Sequence, residues 1–277
     1  MFLKFNIHQK NGRKLNLTKQ TNISMQNSDY RDYILSALSG CEIVSPTDNS
    51  SIISQINFSL GFPKKIRSMI CRHTSFLLSD ESYAIVLGEV TEICSTTERG
   101  FIYAASTLLQ LVEFGELETG FIYDTPIGTE RGYRVFLPSR SEFDAFYKMV
   151  DLLAYYKFNS IIIEIGGAME YHRHPRINDV WRELCRETHR YSGRAREIQH
   201  FMYEWHKNSI HCDNAGGDIL TQEECRSLAE YCRSRGLQVI PECPSLSHCD
   251  FLVMAYPEIR EREGDAYPDT YCPNHPD

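Results

Sequence analysis

The alternation of apolar and polar residues divides the chain into two stretches with different rhythms. In the first, short apolar runs read as strands: "FLKFNI" (2–7), "SIISQINFSL" (51–60), "SYAIVLG" (82–88) and "TEICSTTERG" (91–100). "SDYRDYILSALSG" opens on Ser and Asp, carries apolar Tyr33, Ile34, Leu35 and Leu38, and stops at a glycine, so it predicts a helix. "FIYAASTLLQLVEF" sets Ile102, Ala105, Leu108, Leu109 and Val112 at helical spacing, as in a core helix packed on a sheet. "YDTPIGTERG" (123–132) gathers Pro, Gly and polar residues and reads as a linker. Residues 1–126 are therefore expected to form a small α+β domain.

From 127 to 277 strands and helices alternate. "YRVFLP" is a short strand and "SEFDAFYKMVDLLAYYKF" an amphipathic helix with Ser141 at its N-cap. "NSIIIEIGG" is a buried strand, and the section from Met169 to about Leu220 reads as irregular. "TQEECRSLAEYCRSRG" begins with Thr221 and Glu224 three residues apart, a capping box, and ends at Gly236. Leu237–Ile240 then reads as a buried strand stopped by Pro241 and Pro244. Strand–helix–strand order implies right-handed crossovers and a parallel sheet, and near-continuous apolar strands imply burial on both faces. A (β/α) barrel and a doubly wound sheet both satisfy this pattern.

In either fold, chemistry sits at the carboxyl ends of the strands. Arg140 follows the first; Glu164 lies inside the second, followed by Glu170, His172 and His174; Glu242 and His248 follow the third. A carboxylate within "IIIEI" must be paired or line a polar cavity. The other groups are also compatible with ordinary loop or helix-start positions. His-x-His with no third ligand in suggestive spacing assigns no metal, and Gly166–Gly167 lacks the spacing of a phosphate loop, so no cofactor is expected. Asp80–Glu81 reads as a solvated turn, and "NAGGD" (214–218) as another turn.

Composition narrows the partners. With 42% hydrophobic and 24% charged residues and a net charge of −8, the chain has a globular composition and no basic face for nucleic acid. Its opening lacks the apolar core of a secretory signal, and no run is long enough to span a membrane. Ten cysteines without a Cys-x-x-Cys pair read as reduced thiols of a cytoplasmic protein.

"TQEECRSLAEYCRSRGLQVIPECPSLSH", "FDAFYKMVDLLAYYKFNSIIIEI" and "TTERGFIYAASTLLQLV" together resemble the family 20 glycoside hydrolases, the β-N-acetylhexosaminidases. The resemblance spans roughly residues 80–277. It implies a TIM-type (β/α) barrel after a small domain, a carbohydrate substrate, and retaining catalysis in which the substrate's acetamide attacks the anomeric carbon. It also implies that Arg140 grips sugar hydroxyls and that His248 tunes the catalytic acid. The departures are equally definite. "RGYRVFLPSR" lacks the family's Asp and carries Arg140 one residue late. "EIGGAMEY" puts Glu164 where the family has His, and Gly and Ala where it has an Asp pair, with Glu170 as a substitute. "CPSLSH" loses the family's Asp and Gly, and the sequence ends at "YPDTYCPNHPD" before a fourth strand, after which the family carries its catalytic Asp-Glu pair.

The resulting expectation is an incomplete barrel of three βα units over residues 127–277. It would be inactive alone, with Glu164, Glu242 and Arg140 binding sugar and His248 and Glu170 in catalytic positions. Its open edge would favour self-association. The alternative is a non-catalytic carbohydrate-binding or interaction module. An isomerase or aldolase-like barrel is disfavoured by the missing phosphate loop and strand-end lysine.

Overall fold

The computed structural model describes residues 5–26, 28–40, 51–72, 78–191, 210–263 and 269–275. The chain forms two compact units. The first comprises Met1–Arg131, Asp151–Asn159 and Ser234–Leu237; the second comprises Gly132–Val150, Ser160–Arg233 and Gln238–Asp277.

The first unit is built on strands β1 (Ile7–Asn16), β2 (Asn22–Ser24), β3 (Ser51–Ile52), β4 (Gln55–Leu60), β5 (Tyr83–Leu87), β6 (Val90–Ser95) and β7 (Glu118–Asp124), with helices α1 (Arg31–Ser39), α2 (Lys64–Cys71) and α3 (Glu98–Glu113). The strands form one sheet in the order β2-β4-β6-β5-β7-β1-β3. Alternation along β5 sorts side chains onto two faces. Tyr83, Ile85 and Leu87 enter one core with Ile34 and Leu38 of α1 and with Phe101, Ile102, Leu108 and Leu111 of α3. Ala84 enters the other, with Ile66 and Ile70 of α2.

The apolar runs at 51–60, 82–88 and 91–100 all carry strands, and both helices expected here form, although "SIISQINFSL" is divided into β3 and β4. Of the "FLKFNI" run, Phe5 and Asn6 are not in a strand and Ile7 opens β1, while residues 2–4 lie outside the described residues. The linker starts later than its composition suggests, since Tyr123 and Asp124 pair with β5 as part of β7. Helix α2 and strand β7 had no counterpart in the sequence reading.

The second unit contains strands β8 (Gly132–Phe136), β9 (Ser160–Glu164) and β10 (Gln238–Glu242) in a parallel sheet of order β10-β9-β8. Helix α4 (Phe143–Tyr155) follows β8 and ends in the first unit's share of the chain. Then come α5 (Pro175–Tyr191), α6 (Gln222–Ser234) and α7 (Asp250–Ala255). The capping box forms as predicted: Glu224 N–H donates to Thr221 Oγ1 at 3.1 Å, and Thr221 N–H to Glu224 Oε2 at 2.7 Å. Tyr147 of α4 stacks obliquely on Tyr231 of α6, with ring centroids 4.3 Å apart.

Four expectations are corrected in this unit. Only β9 is buried along its length; β8 and β10 are largely exposed, because among the described residues each pairs on one side alone. Pro241 does not stop β10 but lies within it, opposite Ile163, an edge position where a missing N–H is tolerated. Ser141 is not the N-cap of α4. It sits inside a 3-10 turn (Arg140–Glu142) capped by Ser139, whose carbonyl accepts Glu142 N–H at 2.9 Å. The section 169–220 contains helix α5, whose apolar residues Ile177, Val180, Trp181, Leu184 and Cys185 stand at helical spacing; residues 192–209 of that section lie outside the described residues. Its start was legible in Pro175, which suits the first helical position.

Candidate active site

The register of the parallel sheet aligns Phe136, Glu164 and Glu242 at the carboxyl ends of β8, β9 and β10. Two residues earlier, Arg134, Ile162 and Ile240 are likewise aligned, so all six side chains share one face. On that face Arg134 joins the two carboxylates. Its Nε is 2.6 Å from Glu242 Oε2, its Nη2 is 3.2 Å from Glu242 Oε1, and Nη2 also pairs with Glu164 Oε2. Glu164 is 1% exposed, and a charge so buried is tolerable because this guanidinium is placed against it. Hydrogen bonding to Glu242, helped by the Glu164 charge, pushes the Arg134 pKa above its ordinary value. Two of the predicted residues, Glu164 and Glu242, are thus brought together. Arg134, which joins them, was missed, although its i, i+2 relation to the strand end was available in "YRVF".

A 3-10 turn, Gly166–Ala168, closes β9. Gly166 has φ +41°, and a Cβ on Gly167 would stand 2.8 Å from three ring atoms of Trp181. The indole therefore leaves no room for a side chain at 167. Asn214 was read as a turn residue and proves fully buried: its Oδ1 accepts Leu137 N–H at 2.8 Å. Tyr171 donates its hydroxyl to Gly166 C=O at 2.6 Å and lies 3.8 Å from Cys243 Sγ; burial pushes both the phenol and the thiol pKa up.

The remaining candidates have other partners. Arg140 is engaged by protein: it donates to Glu224 at 2.6 and 2.9 Å, to Ile219 C=O at 2.8 Å, and pairs with Asp218. Those bonds hold the Glu224 carboxyl down at about 2. Glu170 belongs to a separate cluster, 3.0 Å from His172 Nε2 and 3.5 Å from the Gln222 N–H at the start of α6. This cluster borders a cavity of about 430 Å3 shared with Asn178, Arg182 and Thr221. His174 faces Tyr256 Oη at 3.1 Å instead of His172. Among the described residues no three His, Cys, Asp or Glu side chains converge to hold a metal. His248, at φ +58°, is exposed; its N–H reaches Asp269 Oδ2 at 3.3 Å and its Nδ1 lies 4.0 Å from the same oxygen.

A polar face at the carboxyl ends of parallel strands is where α/β enzymes bind substrate. Residues 134–275, which contain the strand-end residues described above, match the model of glycosyl hydrolase family 20, catalytic domain. The chain belongs to glycosyl hydrolase family 20. It is 28% identical over 197 residues to a β-hexosaminidase of Akkermansia muciniphila, a match covering 66% of this chain and 35% of that protein. A β-hexosaminidase of Vibrio furnissii is 29% identical over 179 residues, covering 60% and 26%. Among solved structures, the family 20 β-N-acetylhexosaminidase of Streptomyces coelicolor A3(2) superposes with a TM-score of 0.63 at 19% identity, covering 98% of this chain and 53% of that one. The exo-β-N-acetylglucosaminidase of Vibrio harveyi, solved with N-acetylglucosamine, gives 0.63 at 18% identity, covering 98% and 41%. The chain thus spans about a third of the curated relatives' length and about half of the solved ones'.

Proposed function

We propose that this chain is the N-terminal portion of a β-N-acetylhexosaminidase-like glycoside hydrolase. It comprises a small domain over residues 1–126 and the first three βα units of a catalytic barrel over residues 127–277. The observation that carries the reading is the pair of carboxylates at aligned strand ends, Glu164 and Glu242, inside the segment that matches the family 20 catalytic model. The parent would release a terminal N-acetylhexosamine-like sugar by substrate-assisted retaining catalysis. Glu164 and Glu242 would accept sugar hydroxyls. Arg140, which already braces the turn before α6, would hold that rim rather than grip the sugar. His248 and Glu170, both open to solvent, would serve the parent's acid and acetamide chemistry.

Alone, residues 1–277 would turn over nothing. The adjacent Asp-Glu pair of this sequence, Asp80–Glu81, belongs to the small domain, and its Glu81 is committed to Arg131 at 2.7 Å. The test is to incubate purified 1–277 with an aryl N-acetyl-β-glucosaminide. No hydrolysis is expected; hydrolysis that disappears in His248→Ala would overturn the reading. A non-catalytic carbohydrate-binding module is the second reading. It is favoured by Trp181, which fills the space a carboxylate at 167 would need. Calorimetry with N-acetylglucosamine addresses it: binding that weakens in Glu164→Gln supports a sugar site here, and no heat with wild type removes the module reading.

A further inference from the structure

Helix α4 closes with the hydrogen bonds of a Schellman motif, Lys157 N–H to Ala154 C=O and Phe158 N–H to Leu153 C=O, both at 2.9 Å. The residue in the left-handed position is Lys157, at φ +63°, where glycine is the ordinary occupant. A lysine in this strained position points to a role for its side chain. Its Nζ is 2.7 Å from Tyr83 Oη and 3.4 Å from Asp124 Oδ2, and stands over the rings of Tyr83 and Phe5 at 5.1 and 5.4 Å.

Beside this amine lies a cavity of about 360 Å3, lined by Glu81, Tyr83, Tyr103, Asp124, Arg131 and Lys157, all within the first unit. The expected turn at Asp80–Glu81 forms with Asp80 exposed, but its solvation is corrected for Glu81. Glu81 is 7% exposed and committed to Arg131, Arg99 and Asn159. That pairing occupies Glu81 and Arg131, and leaves Lys157 and Asp124 facing each other at 3.4 Å as the wall's amine and its acid–base neighbour. Burial lowers the Lys157 pKa, Asp124 opposes that shift, and Arg131 reinforces it. A desolvated lysine with a neighbouring acid–base pair has the make-up of an imine-forming residue.

We propose that Lys157 captures the carbonyl of a small hydroxyaldehyde or hydroxyketone bound in this cavity. The neutral Nζ lone pair attacks the carbonyl carbon and forms the C–N bond. Asp124 accepts the proton from nitrogen, and the oxygen, protonated from Tyr83 or Asp124, departs as water with the second nitrogen proton. Amine plus carbonyl gives imine plus water, with no change of oxidation state.

The experiment uses the whole chain, glyceraldehyde as probe and cyanoborohydride to trap the imine near pH 7, with peptide mass mapping. Lys157 is expected to be labelled faster than exposed Lys64 and Lys65, because burial favours its neutral amine. Its labelling is expected to saturate with aldehyde concentration. Labelling no faster than at Lys64 and Lys65, or without saturation, overturns the proposal. Lys157→Gly provides the second arm, because glycine suits φ +63° and preserves the helix end. Loss of the saturable component in that variant supports the site, and its persistence overturns it.

Discussion

Arg134 is the residue that joins Glu164 to Glu242. Arg134→Met removes the guanidinium paired with a carboxylate that is 1% exposed. Breaking a buried pair costs roughly 3–5 kcal/mol; with Arg134 itself 44% exposed, about 2–3 kcal/mol is expected in urea denaturation. The double variant Arg134→Met/Glu164→Met should recover most of that loss, because an apolar pair no longer strands a charge. Full additivity of the two single changes would show that they are not coupled. Glu224 supplies a pH signature. Its folded pKa, about 2, is depressed by Arg140 below the ordinary glutamate value of about 4.3. The stabilisation is therefore complete above about pH 4.3 and lost as the pH falls toward 2. Melting temperatures between pH 5 and 2 should fall less steeply in Arg140→Met than in wild type.

At the scale of elements, the turn after β9 and the start of α6 are the points most exposed to test. Gly167→Ala forces a Cβ into the Trp181 ring at 2.8 Å, and overpacking of this kind costs about 1–3 kcal/mol. The loss should appear as a lower denaturation midpoint and altered tryptophan fluorescence; an unchanged midpoint would mean that α5 yields easily. Thr221→Ala removes the hydroxyl that accepts Glu224 N–H, at a cost of about 1 kcal/mol. The capping box was readable because its two residues lie three apart and interact locally. Helix α5 was missed although Ile177, Val180, Trp181, Leu184 and Cys185 already set an apolar stripe at helical spacing among its charged residues.

At the scale of the molecule, the second unit's sheet has three strands, and among the described residues β8 and β10 each leave one edge unpaired. Tyr133 on β8 and Ile240 on β10 are exposed apolar residues. Unpaired, partly apolar edges invite pairing with another chain. The expected outcome is concentration-dependent association of 1–277 in analytical ultracentrifugation, reduced by Ile240→Lys. A monomer at every concentration would remove self-association from the reading.

What the sequence determined by itself is local: most strands, the amphipathic helices, the capping box, and the family, whose motifs are contiguous runs. Glu164 and Glu242 were also legible as strand-end carboxylates, since an acid within an apolar run has few solutions. Only tertiary structure decided which charges meet. Arg134 joins Glu164 and Glu242 across 30 and 108 residues of chain. Arg140 is taken by Glu224 across 84 residues, and Glu81 is buried against Arg131 rather than solvated. A charge's partner is set by strand register and by the packing of distant segments, and neither is encoded in the residues beside it.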